Sequence, residues 1–557
     1  MLAIASFAVL LAAADTYVVV LALPQMMLGT GVGIDELQRA TPIVTAFLLG
    51  YVATLPLIGR LADLRGVRSV LLGCLLLFAA GCLLTASATS LGPLVVGRAV
   101  QGIGGGGLVP ATLALVAATW PAEQRGTPLG VVGAVQEAGA ALGPLAGAAV
   151  LAVADWRWIF WLNLFGAVVL AAGLARLVRP DEAPEQQQPD RVSTVAGVVA
   201  AVAAGLLTIA PARWVDDVRL GLPWTPLVAN SRWTSALALV ATLAGGLALG
   251  RWTVRARLWR LLDEVDGIGS ALLAAALSAL VITFATADPQ LSAVSSAAPV
   301  LLAATLALLV AFGWRQRRAR HPLVPRSALR ARPAWGALLT NLPIGAALVA
   351  ALVDIPFFAR STTQPDSQLG AALVLLRLLV AVPLGALAGG WLIRRSPAWQ
   401  VAGGGMAAAA IGLTAMTRWD AGTLTGAGGT VPLVLTGLGF GLAIAPVNAA
   451  LLAATEPAVH GIASALVVVC RMVGMLAGLS ALTALGLRIF YREQARIGSP
   501  FSLCPQTPTD CPVYTEATQA ALISELHVIF AGAAGCAAVA AVLAAVLLRA
   551  PRSRHAG

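Results

Sequence analysis

The chain has 557 residues, of which 59% are hydrophobic and 11% charged, and its mean hydropathy is +0.87. So low a charged share, less than half that of a water-soluble domain, excludes an ordinary soluble fold. The net charge of +11 arrives as short arginine runs between apolar blocks, the positive-inside pattern of a membrane protein rather than a nucleic-acid surface. All 36 basic residues are arginine. Without lysine a phosphate-cradling loop ending in Gly-Lys-Ser/Thr is impossible, which argues against an ATP-driven pump.

A bilayer-crossing helix needs about 20 apolar residues, and the blocks predict sixteen of them. The first six cover 2–24, 42–59, 69–88, 91–117, 127–153 and 157–177. Four follow at 192–211, 233–251, 267–287 and 295–314, and six more at 334–358, 367–393, 399–417, 431–453, 460–488 and 524–548. The opening block resembles a signal peptide in its Ala-Ala-Ala-Asp stretch, but no arginine precedes it and Asp15 lies inside it, so it reads as a spanning helix. Arginines cluster at 60–68, 251–260, 315–332 and 394–395 on alternate loops, which places both termini in the cytoplasm and makes the count even. The expected domains are a six-helix bundle over 1–178, a linker with inserted helices over 179–333, and a second six-helix bundle over 334–557 with a long external loop at 488–523. The connection after the seventh helix mixes Arg213, Arg219 and Arg232 with Asp216 and Asp217. A version with fourteen spans, the pair 192–251 lying in the interface, is the alternative.

Between the second and third helices stands Gly59-Arg60-Leu61-Ala62-Asp63-Leu64-Arg65-Gly66-Val67-Arg68. Its small residues allow close helix approach, and Asp63 can face a neighbouring helix end. The stretch resembles the signature loop of the major facilitator superfamily, with Val67 in place of one usual basic residue; the resemblance implies that Asp63, with Gly59, Arg65, Gly66 and Arg68, forms a cytoplasmic gate. The fourth helix carries Arg98, Gln101 and Gly102, then Gly104 to Gly107. An arginine at that depth costs about 3 kcal/mol on insertion scales, so it must face a cavity or a partner. This segment resembles the family's fourth-helix motif, whose arginine is tied to proton coupling. In the fifth helix Gly139, Gly143, Pro144 and Gly147 form a small-residue face with a helix-bending proline. It resembles the antiporter motif of exporters, which is the reason to expect outward transport.

Asp15 and Glu137 are intramembrane carboxylates, and burial in oil disfavours the charged form of such a group, the condition for loading and releasing protons. Arg471 lies ten residues beyond Gly461, as Glu137 lies eleven beyond Gly126. The repeat thus sets an acid and a base at similar depth, and Arg471 is expected to bias Glu137 or Asp15. Asp354 and Arg377 are further intramembrane charges, either functional or merely paired. His460, at a helix start, is expected at the surface. In the external loop Cys504 and Cys511 face an oxidising compartment, and a disulfide between them is expected; no Cys/His spacing suggests a metal, and no catalytic constellation or cofactor motif is present.

Several segments together resemble one actinobacterial branch of the fourteen-span drug:proton antiporters: Asp15 to Val20, Gln136-Glu137, Asp155-Trp156-Arg157, Phe160 to Asn163, Leu352-Val353-Asp354, Val382 to Gly385 and His460 to Met475. The best-known type of that branch exports triacylglycerides and affects drug tolerance. The resemblance implies an all-α membrane protein of the major facilitator fold. It further implies a multi-pass plasma (inner) membrane exporter that moves a lipid or other hydrophobic small molecule against protons, amid membrane lipids and with an external lipid-carrying lipoprotein as partner. A solute importer or facilitator of the same fold is the alternative. The cysteine pair and the helices at 192–251 depart from that branch.

Overall fold

The computed structural model describes residues 1–30, 37–177, 191–209, 222–225, 235–255, 264–285, 297–364, 367–504, 506 and 511–549. Among them are sixteen α-helices of 19 residues or more and no strand. The first set is α1 (Leu2–Gly29), α2 (Leu37–Arg65), α3 (Val67–Ala86), α4 (Leu91–Thr119), α5 (Gly126–Val153) and α6 (Arg157–Leu177). The inserted helices are α7 (Arg191–Ile209), α8 (Ala236–Arg255), α9 (Gly267–Ala285) and α10 (Ala298–Arg318). The last set is α11 (Arg332–Ser361), α12 (Gln368–Leu392), α13 (Ala398–Met416), α14 (Ala427–Ala453), α15 (His460–Gln494) and α16 (Pro512–Leu547). Every predicted apolar block lies on one of these helices, and eleven are long and apolar enough, over the described residues alone, to cross a membrane. Backbone groups in hydrocarbon must be satisfied within the segment, which is why apolar blocks of this length fold as helices.

Packing follows a repeat. α1 rests on α5 as α11 rests on α15; α3 lies between α4 and α6 as α13 lies between α14 and α16; α2 packs on α4 as α12 packs on α14. Adding ten to a label carries one set of six onto the other. The same operation exchanges the contacts between the sets, α2 with α15 for α5 with α12, and α4 with α15 for α14 with α5. A two-fold relation between the halves accounts for all of these pairs at once.

Where the halves touch, glycines remove the side chains that would hold them apart. A β-carbon on Gly59 of α2 would stand 2.5 Å from the Gly461 carbonyl oxygen of α15, and one on Gly126 of α5 would stand 2.5 Å from that of Gly390 in α12. These two crossings are mates under the repeat. Gly66, at φ +83°, turns the chain from α2 into α3 in a single residue, a backbone conformation that glycine adopts without strain.

Of the inserted helices, α9 packs on α10, α2 and α15, while α7 and α8 pack on each other. Val195, Val202 and Leu243 are exposed on the latter pair, a surface suited to acyl chains. The connection holding Arg213, Asp216, Asp217, Arg219 and Arg232 lies outside the described residues. The polar segment expected as an external loop over 488–523 is mostly helical instead. α15 continues to Gln494 and α16 begins at Pro512, because the stretch after Arg488 holds good helix formers and no proline or glycine before Gly498. Cys504 and Cys511 are bonded to each other between the two.

Overpacking a close crossing costs about 1–3 kcal/mol. Gly126→Val therefore lowers the melting temperature and separates spin labels placed on α5 and α12 at this end. Gly73→Ala, whose β-carbon meets nothing within 4 Å, leaves both readings unchanged or slightly raises stability.

Candidate functional site

Two charged clusters lie inside the helices, and glycine stripes decide where they form. On α4, Gly102 and Gly106 face the backbone of α2 at Phe47 and Tyr51, while Gly97 and Gly104 face α3 at Thr85 and Phe78. On α5, Gly139, Gly143 and Gly147 face α1 at Leu10, Ala14 and Val18 in turn, one contact per four residues. The antiporter-like motif is thus the seam between α5 and α1. The side chain of Pro144 lies outside the described ones.

The first cluster sits within the first half. Arg98 donates through Nη1 to Asp15 Oδ2 at 2.7 Å and to Gln101 Oε1 at 2.7 Å, and through Nε to the Ile43 carbonyl at 3.4 Å. Its guanidinium also lies 4.3 Å from the Phe47 ring centroid. Asn163 of α6 donates to the other oxygen, Asp15 Oδ1, at 2.8 Å. Asp15 is 0% exposed and Arg98 1% exposed. Both carboxylate oxygens and the facing guanidinium nitrogen are satisfied, which is what a buried ion pair needs to persist. Asp15 is therefore engaged by Arg98, and of the two carboxylates expected for Arg471 it is Glu137 that stands beside it. The reason is rotational: Asp15 faces α4 and α6, whereas Ala13 and Thr16 of the same helix face the centre.

The second cluster joins the halves. Arg471 Nη2 of α15 stands 2.9 Å from Glu137 Oε1 of α5. The contact is an off-axis charge contact, since Oε1 accepts no aligned hydrogen bond. Around it are two small cavities, each about 30 Å³, that share Val109, Gln136 and Arg471. One also holds Glu137, Tyr51 and Thr16; the other holds Asn341 and Asn448 from the second half. Each is the size of one water, far below the roughly 300–1,000 Å³ of a drug-sized site, so the halves are closed around the centre.

At the end of the bundle, Asp63 accepts hydrogen bonds from the Gly461 amide at 2.6 Å and the Ile462 amide at 3.0 Å, capping α15 with a carboxylate where its dipole is positive. Arg65 and Arg68 line a cavity of about 440 Å³ beside it, with Gly66 and His460. Arg65 also lies 3.9 Å from Glu264, just before α9. His460 is buried, its Nε2 within 3.1 Å of the Leu452 carbonyl and 3.2 Å of that of Thr455. The surface position expected for it does not hold, because the turn from α14 folds over the start of α15. Arg377 of α12 donates to the Leu424 carbonyl and to Thr430 Oγ1, both at 3.0 Å, and so anchors the start of α14. Asp354 is buried on α11 without an arginine partner among the described residues. Sequence reasoning singled out neither Gln101 nor Asn163 as site residues; each is an amide inside an apolar span, a signal that a partner lies near. No group of three or more metal-ligating side chains occurs among the described residues.

Breaking one partner of a buried ion pair costs about 3–5 kcal/mol. Arg98→Ala therefore strands the Asp15 carboxylate and destabilises the protein strongly. The double variant Asp15→Asn with Arg98→Gln recovers most of that loss in a thermal-unfolding mutant cycle.

Comparison with known proteins agrees with this architecture. Residues 5–314 match the Major Facilitator Superfamily. A triacylglyceride transporter of Mycobacteroides abscessus is 36% identical over 499 residues, covering 88% of this chain and 82% of that protein. One of Mycolicibacterium hassiacum is 33% identical over 572 residues, covering 99% and 91%. Among solved structures, the human organic anion transporter MFSD10 superposes with a TM-score of 0.58 at 14% identity, over 98% of each chain. The proton:xylose symporter XylE gives 0.53 at 12%, over 97% of this chain and 94% of that one. The repeat of six helices and these matches lead to one assignment: the chain belongs to the major facilitator superfamily and is a multi-pass membrane transporter, not an enzyme.

Proposed function

We propose that this chain exports a hydrophobic lipid of the triacylglyceride class across the plasma membrane in exchange for protons. The observation that carries the reading is the Arg471–Glu137 contact, the charge pair that ties the two halves together at the centre. Both groups lie in a water-poor site, so adding a proton to Glu137 cancels the attraction and leaves Arg471 to find other partners. The halves then separate on one side or the other, as the two-fold relation between them allows. The substrate class follows the names of the relatives.

The Asp63 face is cytoplasmic in this reading. Arginines crowd its loops, α1 begins and α16 ends there, and the disulfide of Cys504 with Cys511 lies opposite, toward an oxidising compartment. Two devices close that face in the conformation seen: the Asp63 cap on α15, and the paired glycine crossings. A lipid of triacylglyceride size enters only after both release, since the central cavities are water-sized. The polar ends of α15 and α16, on either side of the Cys504–Cys511 disulfide, give an external lipid-carrying lipoprotein a place to receive the product.

The test is transport in proteoliposomes with an imposed pH gradient, using a fluorescent triacylglyceride and a cationic dye in parallel. Gradient-driven movement of the lipid without the dye supports the proposal, whereas dye movement alone reassigns the substrate to amphiphilic drugs. Uptake in the direction of proton flow marks an importer. Arg471→Ala abolishes gradient-driven transport while the protein remains folded, and a variant with normal coupling rules out the central role of the pair.

A further inference from the structure

Three of the acids described above have a partner: Asp15 meets Arg98, Glu137 meets Arg471, and Asp63 meets two amides. Two acids in the second half do not. Asp354 of α11 is 6% exposed and Glu525 of α16 is 5% exposed, and among the described residues neither has a hydrogen bond or an ion pair.

Geometry brings them to one level. α11 and α16 pack together, and Gln519 Nε2 donates to the Ser361 carbonyl at 2.7 Å, which sets their register. From Gln519 to Glu525 is six residues of helix, about 9 Å, and from Ser361 back to Asp354 is seven, about 10.5 Å, at 1.5 Å per residue. Because the helices run in opposite directions, both paths lead inward to the same depth. α15 makes room for Glu525. A β-carbon on Gly486 would stand 2.9 Å from Glu525 Cγ, so the glycine is the hollow into which the glutamate side chain fits.

The surrounding charges are committed elsewhere. Arg377 of α12 holds Leu424 and Thr430, Arg471 of α15 is drawn to Glu137, and His527 Nε2 of α16 is bonded to the Trp419 carbonyl at 2.6 Å. Arg488 of α15 makes no ion pair with either acid among the described residues, and α14 carries no titratable side chain. A carboxylate without a counter-charge is costly in this setting, and a second one at the same depth adds to the cost. The pair also lies well to the opposite side of the central contact: Arg471 packs on Gly345 of α11, nine residues before Asp354, or about 13 Å along the helix.

We propose that Asp354 and Glu525 form a second proton-binding station, occupied by protons in this conformation and exchanging them with the face opposite Asp63. The step is a simple one: a proton from water on that face adds to a carboxylate oxygen, and the neutral carboxyl that results needs no arginine. The proposal deepens the reading of proton-coupled export and rests on it for the direction of proton flow. In an exporter driven by inward proton movement, the first acid met from outside is this pair, and Glu137 is the second.

Infrared spectroscopy of the full-length protein in lipid vesicles reads the protonation itself. At neutral pH the wild type shows the carbonyl stretch of protonated carboxyl groups, and the double variant Asp354→Asn with Glu525→Gln loses part of that band. An undiminished band overturns the proposal. The two amides preserve shape, and the single variants give the same reading, each with a smaller loss, if the double variant does not fold. In the same vesicles gradient-driven transport is lost in the double variant while downhill substrate exchange persists; full gradient-driven transport overturns the role of the pair. A wild type that ignores the pH gradient defeats the exporter reading instead, and the infrared band still decides whether the two acids are protonated.

Discussion

A charge in the interior of a membrane persists only where another group neutralises it or water reaches it. This constraint explains more of the structure than apolar packing does, because apolar side chains gain little from choosing one another over lipid. Asp15 is held by Arg98 and Asn163 inside one half, while Glu137 is held by Arg471 across the two halves. The first pair is fully bonded and fixes three helices of one half. The second is off-axis and next to a cavity, so it is the weaker of the two.

Close backbone approach is what brings these groups within reach. α4 meets α2 and α3 through glycines on two faces, and α5 meets α1 through Gly139, Gly143 and Gly147. Larger residues there would move the helix axes apart, beyond the span of an arginine side chain. The same device seals the Asp63 face, where Gly59 meets Gly461 and Gly126 meets Gly390. Closure on that face is therefore backbone against backbone, with Asp63 adding a charged cap to α15.

The inserted helices divide into two kinds. α9 and α10 are tied to each other and to α2: Asp266, at the start of α9, accepts from Arg315 at 2.9 Å and Gln316 at 2.8 Å, and Gln316 accepts from the Val324 amide at 3.0 Å. The segment leading into α11 thereby packs Leu323 and Ala328 into the core of the first half. α7 and α8 pair with each other and carry an apolar outer surface.

The sixteen helices, their order and the motifs at Asp63, Arg98 and Gly139 were legible in the amino-acid string, because burial in hydrocarbon demands long apolar runs and makes each interruption conspicuous. The ends of α15 and α16 were not, since a polar stretch reads as loop or as helix until the partner beside it is known. Partner choice was hidden as well. Whether Asp15 meets Arg98 or Arg471 depends on the rotation of α1. Sequence determined which groups are costly to bury, for that follows from side-chain chemistry alone. Only the tertiary structure decided which of them neutralise one another, because helices far apart in the chain must first be brought to a common depth and face.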